Sequence, residues 1–289
     1  MWKPTVLLTG ALLGLASPAL AQEAEDEGAL VSRQVAGALA LDPTAETWQA
    51  AVPVTVVLDG QGVTTPMLMA PSVTQVTVRS VHNGSEIAFL LSWQDASEDR
   101  FQTTGRFSDA VAIQVPYRPS EDVPVTMGDK GERVLILHWA AFRQENIDNG
   151  YADTAKLYPN YAFDWYPHAL APYRYPEDWH NQYALNYIGG EKVLRKNAVK
   201  SPVREVVAEG FGSSTWKDVQ RAEGRGTYKD GVWHVVIKRR FVEENTSNPD
   251  WGPGTSTFVT FAAWDGNHGE RGARKSLGYV WTSLTIEGP

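Results

Sequence analysis

Cysteine is absent from all 289 residues. Its absence excludes disulfides, thiolate metal centres, iron–sulfur clusters and any prosthetic group tethered through thioether bonds. Basic charge is also short: 26 Lys and Arg stand against 34 Asp and Glu, for a formal net charge of −8. A surface of that sign disfavours nucleic acid and anionic membranes as partners. Long apolar runs are missing as well. The longest, Val6 to Ala16, falls short of the roughly 20 helical residues that cross a bilayer, so no membrane span is expected. The six histidines at 82, 138, 168, 180, 234 and 268 form no H-x-H, H-x-x-x-H or H-E-x-x-H pair, which leaves a zinc or type 2 copper site without support. No G-x-S-x-G, Walker or G-x-G-x-x-G motif appears, and Gly210-Phe211-Gly212-Ser213-Ser214 precedes no helix-like segment.

What is present begins at the N-terminus. Lys3 precedes the apolar run, and Ser17-Pro18-Ala19-Leu20-Ala21 leads into the acidic stretch Gln22 to Glu27. This pattern predicts a secretory signal peptide over residues 1–21, cut after Ala21, and a periplasmic mature chain of residues 22–289. No twin-arginine pair is present, so the chain is expected to cross unfolded and to take up any cofactor afterwards. Loss of Lys3 leaves 25 basic residues and a net charge of −9.

Strand-like runs recur between turn signals. They lie at Val52–Leu58, Gln75–Val81, Glu86–Trp93, Ala110–Val115, Arg133–Trp139, Gly224–Tyr228, Val232–Phe241, Thr257–Trp264 and Ser276–Ile286. Asn83-Gly84 and Asp230-Gly231 each predict a hairpin. The expectation is an all-β, antiparallel β-sandwich forming one domain. Residues 143–215, rich in Tyr, Pro, Asn and Trp, are expected to form a long, loop-rich, partly helical insertion, whose aromatics at 158–187 suit either a lid or a subunit interface.

Of the methionines beyond Met1, Met67 and Met69 are expected to pack into the core from one face of an extended segment. Met127 instead sits in the loop Pro124-Val125-Thr126-Met127-Gly128-Asp129. Lys275 ends the charged run Glu270 to Lys275, which alone reads as a solvated surface. His138 and His234 fall within strands and read as packed histidines.

Several ordered segments carry a resemblance. They are Leu91-Ser92-Trp93-Gln94-Asp95, Phe107 to Pro116, Met127-Gly128 with Val134 to Trp139, Ser201-Pro202-Val203, Ala208 to Gly212, and Phe261 to Gly266 with Lys275-Ser276 and Trp281. Together they resemble the haem b binding gamma subunits of the type II dimethyl sulfoxide reductase family, which includes ethylbenzene, dimethyl sulfide, chlorate and selenate oxidoreductases. The resemblance implies one non-covalent haem b whose iron is held by Met127 and Lys275, with Arg271 and Arg274 as candidates for the propionates. It also implies a non-catalytic electron-transfer role beside a molybdopterin catalytic alpha subunit, an iron–sulfur beta subunit and a soluble periplasmic cytochrome c. Two other readings stand beside it. One is a carbohydrate-binding β-sandwich module using the eleven Trp and eleven Tyr as stacking platforms. The other is a structural subunit that has lost its haem. The Trp residues at 93, 139, 233, 264 and 281 fall inside strands, which favours core packing for them.

The leader reading has a direct check. Mass spectrometry of the exported protein is expected to find Gln22 as its first residue, and a retained 1–21 segment would refute cleavage there.

Overall fold

The computed structural model describes residues 28–150, 152, 157 and 201–289. The strands are β1 (Leu30–Gln34), β2 (Val54–Val57), β3 (Asp59–Gly60), β4 (Gln75–His82), β5 (Glu86–Gln94), β6 (Ala110–Pro116) and β7 (Val134–Ala140). They continue with β8 (Val203–Ala208), β9 (Thr215–Trp216), β10 (Glu223–Lys229), β11 (Val232–Arg240), β12 (Ser256–Trp264), β13 (Ser276–Leu277) and β14 (Thr282–Ile286). One α-helix, α1, spans Ala141–Asp148, and a 3-10 turn spans Glu46–Ala50.

Both expected hairpins form. β4 pairs with β5 and β10 with β11, each antiparallel. Asn83 Oδ1 accepts the backbone N–H groups of Ser85 and Glu86 and so closes the first turn. Asp230 and Gly231 both hold positive φ, 52° and 79°, as a two-residue type I′ turn requires.

The strand path runs β10-β11-β5-β4-β1-β14-β12-β6-β7-β8-β9. β12 turns the corner of the sandwich: Ser256 to Val259 pair with β14, while Thr260 to Trp264 pair with β6. Inner-face residues interdigitate between the two layers. Phe89, Leu91, Trp93, Trp233, Val235 and Ile237 meet Val111, Ile113, Leu135, Leu137, Trp139 and Phe261 in one buried cluster. Glu205 of β8 and Arg239 of β11 are both buried and tie the layers by an ion pair of 2.9 Å. The outer face of the first layer is covered by a second cluster in which Leu39, Trp48 and Ala51 pack on Val81, Ala88, Leu90 and Val236.

The architecture departs from expectation in three places. β1 is parallel to both its neighbours, β14 and β4, so the sheet is mixed rather than purely antiparallel. The run Ser276–Ile286 is two strands: β13 pairs with β12 and β3, whereas β14 pairs with β12 and β1. Within 143–215, α1 occupies the start, and β8 pairs with β7 over Val203 to Ala208 as a full member of the second layer. Residues 151, 153–156 and 158–200, among them the aromatics of 158–187, lie outside the described residues, as do residues 1–27. No helix among the described residues is long and apolar enough to cross a membrane.

Buried Gln144 of α1 locks β10 to the core. Its Oε1 accepts Gly226 N at 2.7 Å and Trp139 Nε1 at 3.1 Å, and its Nε2 donates to Gly226 O at 2.9 Å. Trp139 presses its ring against the Gly226 Cα, where any Cβ would overlap the indole. Gly226→Ala is therefore expected to cost about 1–3 kcal/mol by overpacking. Urea unfolding checks this, and a stability within about 0.5 kcal/mol of wild type would contradict it.

Candidate cofactor site

The outer face of the second layer is built from small residues. Alternation sends Val111, Ile113, Leu135, Leu137 and Trp139 to the sandwich core, and turns Ala110, Ala112, Ala140 and Ala262 the other way, beside Trp264 and Leu277. Ala112 and Ala262 lie beneath this layer, while Ala110 and Ala140 line a space beside the Trp264 ring. A cavity of about 600 Å³ lies over this face, lined in part by Ile136, His138, Val206, Trp264 and Leu277. That volume falls within the roughly 300–1,000 Å³ of cofactor and small-molecule sites.

Two loops bring Met127 and Lys275 to this one cavity. Met127 sits in the turn between β6 and β7 at a φ of 75°, the left-handed region that a non-glycine residue occupies only at some cost. The turn is held on both sides. Gly128 N donates to Pro124 O and Gly210 N donates to Met127 O, at 2.9 and 2.8 Å. The side chain packs against the buried cluster of Val123, Val134 and Ala208. Gly128 itself has a φ of 73° and lies so close to Glu132 O that no Cβ fits, which explains a glycine after Met127.

Lys275 precedes β13 at the end of the 265–275 loop. Gln61 fixes this end: its N–H donates to Lys275 O at 3.1 Å and its Nε2 to Ala273 O at 2.9 Å. The residue is half-buried as a whole. Its amine, however, lies 5.4 Å from the centre of the Trp264 ring and has no hydrogen bond or ion pair among the described residues. Burial alone lowers its pKa to about 8.

His138 also lines the cavity, in edge contact with the Trp264 ring at 4.9 Å. Burial, then the nearby Arg143 and Lys275 charges, hold its pKa well below the usual value. Arg143 Nη2 lies 3.0 Å from His138 Nδ1. A guanidinium only donates, so Nδ1 accepts and the neutral ring carries its proton on Nε2.

A second cavity of about 330 Å³ shares His138, Val206, Trp216, Trp264 and Gly272 with the first and adds Arg143, Arg204 and Arg271. One end of the combined space is thus apolar and the other strongly cationic. Arg271 stands 4.3 Å from the Phe107 ring centre. Arg274 lines neither cavity and donates to Met67 O. Of the two propionate candidates named from the sequence, only Arg271 lines this space.

Met67 and Met69 are 44% and 79% exposed, against the expectation of a core role. The chain does alternate there, in the opposite register: Leu68 is the buried residue. Arg143, Arg204 and Trp216 were not singled out from the sequence, since an arginine on a helix or strand carries no local mark of facing a cavity.

The sequence model of a family described as ethylbenzene dehydrogenase matches residues 45–276. A Haloferax mediterranei protein named "Putative respiratory nitrate reductase heme subunit ORF7" is 23% identical over 236 residues, covering 81% of this chain and 64% of that protein. The chain thus spans under two thirds of the length of that curated relative. Among solved structures, a carbohydrate binding module family 9 from Caldicellulosiruptor kristjanssonii in complex with cellotriose is similar at 8% identity and a TM-score of 0.41, over 90% of this chain and 94% of that one. Because the family match runs through β2 to the start of β13 and includes both loops of the cavity, the chain belongs to the ethylbenzene dehydrogenase family.

Proposed function

We propose that the chain is a haem b electron-transfer subunit of a periplasmic molybdenum oxidoreductase, with Met127 and Lys275 as the axial ligands of the iron. The observation that carries this reading is a thioether and a pKa-lowered amine, unpaired among the described residues, that line one cavity, with three arginines lining the cavity beside it. This donor set fits a haem. An amine buried without a partner is costly unless something takes its lone pair or its charge. The haem, when bound, supplies one reversible electron at its iron.

Every other part of the task belongs to the chain. Lysine binds iron only as the neutral amine, and burial of Lys275 brings that form within reach near neutral pH. Met127 offers a soft sulfur that favours ferrous iron and raises the potential. Held by both side chains, the group would offer neither substrate nor oxygen a place at its iron, which suits electron transfer and not catalysis. His138 is a poor competitor, because its Nε2 holds the ring proton. Arg143, Arg204 and Arg271 suit the two propionates, since a guanidinium matches carboxylate geometry. Ala110 and Ala140 line the space beside these arginines, and the Trp264 ring stands 5.4 Å from the Lys275 amine.

The named role of the Haloferax mediterranei relative, a haem subunit of a respiratory nitrate reductase, supports the same reading. A molybdopterin alpha subunit, an iron–sulfur beta subunit and a soluble cytochrome c are the proposed partners, in keeping with the resemblance. Against the carbohydrate reading, seven of the eight described Trp residues are wholly or half buried, and only Trp216 is exposed.

Substitution tests the ligands. Met127→Ala is expected to shift the haem toward high spin and lower its potential, and Lys275→Ala to loosen the haem more. Met67→Leu and Met69→Leu should leave the spectrum unchanged. Unaltered low-spin spectra in both ligand variants would end the assignment.

A pH titration tests Lys275 separately. Only the neutral amine ligates, so haem affinity should fall by about tenfold per pH unit below about 8 and level off above it. The slope should vanish in Lys275→Ala, and a wild-type affinity flat from pH 6 to 9 would contradict the role. Nitrogen NMR is expected to show His138 as the uncharged Nε2–H tautomer from pH 5.5 to 8. A midpoint near 6.5 would reopen histidine ligation.

A further inference from the structure

Three aspartates meet at the other side of the loop that carries Lys275. Asp95 follows β5, Asp109 precedes β6 and Asp265 follows β12, so three strand ends place them together. One carboxylate oxygen from each lies within 4.8 Å of the other two. The residues are 5%, 0% and 5% exposed. From this geometry we infer that Asp95, Asp109 and Asp265 form a binding site for one hard divalent cation, Ca²⁺, which fastens the base of the Lys275 loop.

The hydrogen bonds around the cluster orient the carboxylates without neutralising them. Asp109 Oδ1 accepts Gly266 N at 2.9 Å, while its Oδ2 accepts Asp99 N at 2.7 Å and Trp233 Nε1 at 3.0 Å. Asp265 Oδ1 accepts His268 N at 3.1 Å, and its Oδ2 lies 2.7 Å from His268 Nδ1. Asp95 Oδ1 accepts Ser97 N at 3.1 Å. Asp95 Oδ2 is buried and meets no donor in good hydrogen-bond geometry; Trp93 Nε1, itself buried without a partner, is close enough only to lower the Asp95 pKa slightly against the effect of burial. Buried carboxylate oxygens are ordinarily hydrogen-bonded or ion-paired, so this one marks a missing positive partner. Among the described residues no Lys or Arg forms an ion pair with any of the three, and His268, itself 58% exposed, is their only cationic contact.

The ligand set selects the ion. Three carboxylates with no nitrogen or sulfur donor between them suit a hard cation. Three carboxylate oxygens within 4.8 Å of one another are near enough for one Ca²⁺ to gather at about 2.3–2.6 Å, and its flexible coordination suits a buried all-carboxylate set better than Mg²⁺, which keeps several waters in a strict octahedron. Burial and mutual repulsion raise the pKa of Asp95 to about 6 and of Asp109 to about 8, which is the behaviour of charges awaiting a counterion. Such a cation would also reach the cofactor cavity through the chain. Asp265 opens the 265–275 loop, Glu270 Oε2 accepts Asp265 N, and Arg271 and Lys275 follow.

Calorimetric titration of the chelator-stripped full chain with Ca²⁺ in 0.15 M KCl, with and without haem, tests this independently of haem ligation. The expected result is one saturable equivalent per chain, together with a melting temperature that rises with Ca²⁺. In Asp95→Asn and Asp265→Asn, binding should weaken by about tenfold or more. Because each substitution removes repulsion, the cation-free variants should melt no lower than the cation-free wild type. Absence of a saturable equivalent in the wild type would mean that the triad holds only protons and would overturn the inference. Wild-type binding in both variants, indicating surface uptake alone, would overturn it as well. If either variant fails to fold, the wild-type stoichiometry still decides.

Discussion

The second layer of the sandwich is buried on both faces, and the rest of the structure follows from that constraint. In β6 all seven residues are buried. Its odd-numbered positions carry the bulk that fills the sandwich core, and Ala110 and Ala112 on the opposite face keep that side flat. A strand covered on one face and left bare on the other would expose an apolar floor to water. Here the floor is roofed by loops: the Met127 turn at one end, the 265–275 loop at the other, and the Phe211–Ser214 segment beside them. The space between strands and loops is the cavity proposed for the cofactor.

The two loops are positioned by backbone bonds to parts of the chain far away in sequence, so the side chains they carry are fixed without being paired themselves. Met127 O is held by Gly210, and Lys275 O by Gln61. The loops therefore absorb two unfavourable features: a left-handed methionine, and an amine moved out of water. Strain and desolvation concentrated at one cavity are the features expected of a preorganised pair of ligands, the role proposed for Met127 and Lys275. The Asp95, Asp109 and Asp265 cluster adds a third at the base of the same loop.

Legibility in the sequence tracks the range of the forces involved. Hairpins around Asn83-Gly84 and Asp230-Gly231 were readable because their turn chemistry is local. β1 was not, since a parallel strand announces itself by no turn. β8 hid behind Arg204 and Glu205, charged residues whose burial depends on Trp216 and Arg239. The break in Ser276–Ile286 was invisible because both halves are apolar enough for one strand, and only the corner made by β12 separates them. At the site, Met127 and Lys275 stood out only through family resemblance, since propensity says nothing of a left-handed methionine and a charged run reads as solvated surface. The aspartate cluster was split across three segments, each unremarkable alone.

The proposed haem site depends on Lys275 as a nitrogen ligand of the iron. Pulsed electron–nuclear spectroscopy on the ferric, low-spin protein grown with ¹⁵N-lysine reads that atom directly. A single strongly coupled ¹⁵N nucleus, lost when unlabelled lysine is supplied, is the result the account predicts. A coupling that appears only with ¹⁵N-histidine labelling would contradict it.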